Sequence, residues 1–282
     1  MRIGLHTSTS GSLEGAAIRA RELGANCFQI FSASPRMWRA AGVKPDEAKK
    51  LQEARDRWDL QPLVIHVNYL ANLATLDPEI RAKSVASFRG ELERAAAIGA
   101  EYLVLHPGNY KGQSVEQGIA AFVLGLAEAA AGFSAGKLTV LLENTVGSGT
   151  QLGGKLEELA MMRELAARET ALPIGYCLDT CHLFGAGFDI TTPEGLEETI
   201  QHADRVLGLE HVRVIHANDS KGKLGSHLDR HDNIGKGNIG EAAFSRILKH
   251  PSLREKAFIL ETPAENEGDE LRDVEALKRL CG

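Results

Sequence analysis

Eight short apolar runs punctuate the chain, at 3–6, 27–31, 62–67, 102–106, 139–143, 174–179, 212–216 and 257–261. Each is four to six residues long and rich in Val, Ile, Leu or Phe, the composition of a strand buried on both faces. Between them lie longer stretches with apolar positions at helical spacing, at 14–23, 46–58, 78–98, 115–131, 155–168, 193–207, 241–248 and 269–280. Parallel strands need a crossover of about this length, so the regular alternation predicts a parallel sheet. Eight units predict closure into a (β/α)8 TIM barrel, with residues 1–282 as a single domain. An open, doubly wound sheet is the competing architecture. No GxGxxG follows the first strand, which weighs against its dinucleotide-binding form.

Composition narrows the class. A length of 282 residues is normal for one barrel and long for most other single domains. With 43% hydrophobic and 25% charged residues, the chain can bury a large core without disulfides. No apolar run approaches the 18 or so residues of a membrane span. No basic segment followed by an apolar one opens the sequence, so no signal peptide is expected. Cys27, Cys177, Cys181 and Cys281 form no CxxC pair, which fits a reducing, cytoplasmic location. The formal net charge of −6 argues against a nucleic-acid partner only while the chain is taken without ions. Three divalent cations would add six positive charges at one face, and the local field decides.

The strand ends carry the chemistry. Strands three to eight finish on His66, His106, Glu143, Asp179, His216 and Glu261. In a barrel, active sites are built at that carboxyl rim. Two residues before each stand Val64, Val104, Leu141, Cys177, Val214 and Ile259, which point the same way along a strand. They predict an apolar floor inside the barrel. A single strand-end His or Asp is usually a cap or a satisfied polar group. Six at equivalent positions are better explained by metal coordination. His182 follows closely in Asp179-Thr180-Cys181-His182, and Asp229-Arg230-His231 lies on a Gly- and charge-rich loop, 220–240. An Asp-x-His pair in an extended segment can face one ion. With His182 it makes three ligands with positions left open, the pattern of a catalytic zinc. Nine such ligands exceed one ion, and imidazole with carboxylate favours zinc or manganese over calcium. Two ions sharing a carboxylate, and a third beside the leaving oxygen, suit phosphodiester hydrolysis.

Leu105-His106-Pro107-Gly108, Leu142-Glu143-Asn144-Thr145, Cys177-Leu178-Asp179-Thr180-Cys181-His182, Leu228-Asp229-Arg230-His231 and Ile234-Gly235-Lys236-Gly237-Asn238-Ile239-Gly240 resemble the endonuclease IV family, and the likeness runs over about residues 1–280. The resemblance implies a TIM barrel with three zinc ions, with manganese admissible at one site. It places His66, His106 and Glu143 on the first ion. Glu143 would bridge to a second, held with Asp179, His216 and Glu261, while His182, Asp229 and His231 hold the third. Glu143 and Glu261 are the carboxylates it marks as catalytic. The implied reaction is hydrolysis of the phosphodiester 5′ to an abasic site in double-stranded DNA, leaving a 3′-hydroxyl and a 5′-deoxyribose phosphate. Trimming of blocked 3′ ends and a monomeric state are also implied. Arg36, Tyr69 and Leu70 match the side chains inserted where the nucleotide is flipped out. The segment Ser32-Ala33-Ser34-Pro35-Arg36 departs from the family in lacking its Lys and Asn, while Arg36 is kept.

Other residues take plainer roles. His6 is expected in a structural hydrogen bond, and His202, His211 and His250 on the surface. His227 and Cys181 are not needed as ligands, Cys177 belongs to the floor, and Gly108-Asn109 forms a turn. Two further functions compete. A sugar isomerase or epimerase of the xylose isomerase-like type accounts for Glu143, Asp179, His216 and Glu261 but leaves His66, His106, His182, Asp229 and His231 without work. A non-catalytic metal-storing or nucleic-acid-binding barrel has no use for open coordination positions.

Overall fold

The computed structural model describes residues 1–34 and 36–282. Eight parallel strands close into a barrel: β1 (Arg2–His6), β2 (Cys27–Phe31), β3 (Leu63–His66), β4 (Tyr102–Leu105), β5 (Thr139–Glu143), β6 (Ile174–Asp179), β7 (Val212–His216) and β10 (Ala257–Leu260), with β10 pairing back onto β1. The crossovers are α1 (Leu13–Glu22), α2 (Pro45–Trp58), α3 (Pro78–Ala97), α4 (Val115–Ala130), α5 (Leu156–Glu169), α7 (Pro193–Leu207) and α8 (Glu241–Lys249), and α9 (Asp269–Cys281) follows the last strand. Four of these helices start on a side-chain cap. The side chains of Ser12, Asp77, Ser114 and Thr192 accept from first-turn backbone N–H groups, and Gln117 completes a capping box with Ser114. Pro78 and Pro193 open their helices where no intrahelical N–H is needed.

Three features lie beyond the regular alternation. A short helix, α6 (Thr180–Ala186), starts directly from β6, where the sequence reads as loop. Asp179 ends the strand and also caps this helix, so its hydrophobic neighbours give no separate helical period. A two-residue hairpin, β8 (Asp219–Ser220) with β9 (His231–Asp232), pins the loop after β7. Strands β4 and β10 stop one residue early, so His106 and Glu261 stand just past their strands rather than within them.

Strand parity divides the core in two. One layer, between sheet and helices, holds most of the apolar side chains. The other is a separate cluster inside the barrel: Cys27, Val64, Val104, Leu141, Cys177, Val214, Ala257 and Ile259. It contains all six floor residues that the sequence predicts. Each buried branched side chain there contributes about 1.5–3 kcal/mol. At Gly4 an added Cβ would stand 2.0 Å from the Cys27 carbonyl oxygen, so β1 can close against β2 only with glycine at that position. Among the described residues no helix is long and apolar enough to cross a membrane.

Candidate metal centre

Glu143 lies at the middle of the rim, fully buried at the end of β5. Its Oε2 is 3.1 Å from His66 Nε2 and 3.0 Å from His106 Nε2. Its Oε1 is 2.9 Å from His216 Nδ1 and 3.4 Å from His182 Nδ1. Glu261 Oε2 stands 3.3 Å from His216 Nδ1. Asp229 Oδ1 is 3.3 Å from His182 Nε2 and 3.5 Å from His231 Nε2. The structure thus brings together all nine candidate ligands. Their donor atoms fall into three groups, each within 4.8 Å: His66-His106-Glu143, Glu143-Asp179-His216-Glu261 and His182-Asp229-His231. Cys181 forms a further group with Asp179 and His231. Burial pushes its thiol up to about 12, so the sulfur keeps its proton at neutral pH.

The hydrogen bonds define what these groups can hold. His66 Nδ1 lies 2.7 Å from the Val67 carbonyl, His182 Nδ1 2.9 Å from that of Asn144, and His231 Nδ1 3.2 Å from that of Glu261. A carbonyl oxygen only accepts, so each Nδ1 carries a proton. In the neutral ring Nε2 is then a lone pair, and here it faces a carboxylate oxygen. Two acceptors so placed need a proton or a cation between them. His231 Nε2 is buried with no hydrogen-bond partner among the described residues. Without a cation, protons compensate. Burial alone would lower the His182 imidazole, but Asp179, Asp229 and Glu143 raise it well above its usual value. Burial alone would raise the Glu143 carboxyl, but His216 and His106 hold it well below its usual range. Against the same penalty, His182 and His231 bring Asp229 to about 2, and His216 and His66 bring Glu261 to about 2. A donor set of imidazoles and carboxylates with uncompensated lone pairs fits divalent zinc-type cations.

Neighbouring side chains fix the ligands. Asp179 Oδ1 accepts from His182 N at 2.8 Å, which ties the two together through the first turn of α6. Asn218 donates to Asp179 Oδ2 at 2.6 Å and accepts from Glu261 N at 2.7 Å. Asp219, fully buried, accepts from the backbone N–H groups of Ser220, Gly235, Ile239 and Gly240 at 2.8 to 3.2 Å. This clamp and the β8–β9 pairing carry His231 to the centre. At Gly237 a Cβ would fall 2.4 Å from Asp219 Oδ1. Gln29, Asn218 and Asp219 stand in none of the motifs that mark the site in the sequence. Parity holds the signal for Gln29, which stands two residues after the floor residue Cys27.

Tyr69 is 68% exposed at the rim, its ring edge-on to Phe31 at 5.6 Å and 5.7 Å from His66. Leu70 is half-buried beside it and Arg36 is exposed. Pro35 of the 32–36 segment lies outside the described residues. A cavity of about 250 Å³ lined by His6, Phe31, Tyr69 and Glu261 flanks the centre, and one of about 270 Å³ lined by His66, Tyr69, His106, Asn109 and Asp229 adjoins it. His6 Nδ1 is 3.1 Å from Gln29 Nε2, the hydrogen bond expected of it. His227 bonds the Val146 carbonyl at 2.6 Å. His202, His211 and His250 depart from expectation: each is half-buried, because Glu157, Arg163 and Glu197 respectively hold them against the helices.

The chain matches the family described as xylose isomerase-like TIM barrel over residues 18–280. A protein of Solibacter usitatus (strain Ellin6076) named "Probable endonuclease 4" is 63% identical over 282 residues, covering 100% of this chain and 97% of that one. The crystal structure of endonuclease IV from Thermus thermophilus superposes with a TM-score of 0.87 at 36% identity, over 99% of this chain and 98% of that one. The D-psicose 3-epimerase of Clostridium cellulolyticum H10, crystallised with D-tagatose, has a TM-score of 0.69 at 15% identity, over 100% of this chain and 98% of that one. That likeness is one of fold alone. Full-length identity with the Solibacter protein assigns the chain within the barrels: it belongs to the endonuclease 4 family.

Proposed function

We propose that this protein is an abasic-site endonuclease whose nine rim residues hold three zinc ions, with manganese admissible at one. It hydrolyses the phosphodiester 5′ to an abasic site in double-stranded DNA, leaving a 3′-hydroxyl and a 5′-deoxyribose phosphate. It also trims blocked 3′ ends. Residues 1–282 act as one catalytic domain, in a monomer located in the cytoplasm. The observation that carries this reading is the third group, His182-Asp229-His231, added to the four residues that a sugar isomerase would use. An isomerase needs neither this group nor the His66-His106 pair.

When bound, divalent cations supply positive charge toward the phosphate and make water a nucleophile at neutral pH. The protein does the rest. Glu143 offers one oxygen to the His66-His106 group and the other to the His216 group, so it joins two sets. Glu261 offers Oε2 to the second set. Both are catalytic residues in this reading, since they meet the reacting centre through the ions they hold. Tyr69 and Leu70 fill the gap left by an extruded nucleotide, which offsets the cost of unstacking. Arg36 is the third side chain inserted there. The test is incision of a duplex carrying one synthetic abasic site. A single cut leaving a 3′-hydroxyl, lost on chelation and restored by zinc, is expected. Epimerisation of a free ketose with no incision would overturn the reading in favour of the isomerase.

A further inference from the structure

β2 brings no metal-type residue to the rim, yet it places Gln29 there, fully buried. Gln29 Nε2 lies 2.5 Å from Glu261 Oε1 and 3.1 Å from His6 Nδ1. Gln29 Oε1 lies 2.9 Å from His216 Nε2. Elementary chemistry fixes the orientation of the amide. A carboxylate only accepts, so the amide atom beside Glu261 is the NH2 group. The amide oxygen therefore faces His216 Nε2, and that nitrogen must carry a proton. A neutral imidazole protonated on Nε2 has its lone pair on Nδ1. Nδ1 is the atom that stands 2.9 Å from Glu143 Oε1 and 3.3 Å from Glu261 Oε2.

The geometry assigns Gln29 as a positioning residue for the Glu143-Asp179-His216-Glu261 group: it fixes the His216 tautomer that leaves Nδ1 free for a cation, and it holds Glu261 so that Oε2 is the presented oxygen. The inference rests on the metal-binding reading of that group. His66, His182 and His231 are fixed by backbone carbonyls, which no side-chain substitution removes. His216 depends on a side chain. A flipped amide would set its oxygen against the Glu261 carboxylate and a donor against His216 Nε2, which favours a proton on Nδ1. The second amide hydrogen is taken by His6 Nδ1, so the three-way contact leaves no amide donor unused.

Two measurements test this. Zinc-loaded protein with 15N-labelled histidine reports each tautomer through long-range 1H–15N couplings. The expected result for His216 is a proton on Nε2 and zinc on Nδ1. The second measurement is competition with a chelator, comparing wild type with Gln29→Met, which keeps the length and removes all three hydrogen bonds. The variant should bind one of its ions at least about tenfold more weakly, as loss of an outer partner does, while the other two stay. A His216 proton on Nδ1 overturns the assignment, and so does a Gln29→Met protein whose three affinities equal those of wild type. If Gln29→Met fails to fold, the wild-type spectrum decides alone. A wild-type chain that takes up no zinc would sink the reading of the whole centre. Unchanged affinities in the variant, with zinc bound by wild type, sink only the role of Gln29.

Discussion

Asp229 Oδ1 joins the third group, 3.3 Å from His182 Nε2 and 3.5 Å from His231 Nε2, and nothing else in the three-ion reading replaces Asp229 and His231. The Asp229→Ala, His231→Ala double variant should keep about two ions and still bind abasic duplex, because the Glu143-centred groups are untouched. Its incision rate should fall at least about a hundredfold, equivalent to roughly 2.7 kcal/mol, since a phosphodiester expels a poor alkoxide leaving group. Rates within threefold of wild type would remove the third group from the mechanism. Tyr69 and Leu70 act on a different term. Replacing both with Ala should weaken binding to abasic duplex by a few kcal/mol and leave hydrolysis of a small phosphodiester nearly unchanged. Equal losses on both substrates would mean that these side chains support the centre rather than the DNA.

At the scale of elements, one carboxylate gathers both ends of the loop from β8 to α8. Asp219 gathers four backbone N–H groups while fully buried. Asp219→Ala should cost at least about 2 kcal/mol in urea unfolding, because it strands buried donors. Zinc content should fall with it as His231 is released. A variant of wild-type stability and zinc content would contradict this. Much of the scaffold was legible beforehand because the barrel repeats one rule. A strand buried on both faces reads as an apolar run, and parity then places each of the six strand-end candidate ligands two residues above a floor residue such as Val64 or Ile259. What stayed illegible breaks the repeat. Asp179 serves as strand end, helix cap and site residue at once, so α6 has no start signal of its own. The hairpin pairs only Asp219 and Ser220 with Asp232 and His231, and depends on tertiary support. Gln29 carries no ligand signal because an amide is no metal ligand, although it obeys the same parity as the strand-end candidates.

For the whole molecule, protons and cations compete for one buried cluster. In the metal-free protein the His66 and His182 imidazoles are raised above their unfolded value of 6.5, because Glu143 and Asp179 overcome the cost of burial. Their contribution to stability is complete below that value and is lost as pH rises through the folded pKa. Asp229 and Glu261, at about 2 against unfolded values of 3.8 and 4.5, contribute above those values and lose it as pH falls through about 2. The chelated protein should therefore melt highest between about pH 4.5 and 6.5 and less well above neutrality. The zinc-loaded protein should not show the alkaline loss, since binding displaces the same protons. Thermal melts at about pH 6 and about pH 8.5, with and without chelator, check this. A gap between loaded and chelated protein that does not widen with pH would refute it. The formal charge of −6 points the same way, as three divalent ions at the barrel rim would cancel it.

The most direct measurement joins metal content to chemistry. Metal-free protein is titrated with zinc, and bound equivalents and incision of an abasic-site duplex are followed on the same samples. Incision should stay low through the first equivalents and reach its full rate only as the third is bound. Full incision at one bound zinc, or no incision with three bound, would contradict a three-ion abasic-site endonuclease.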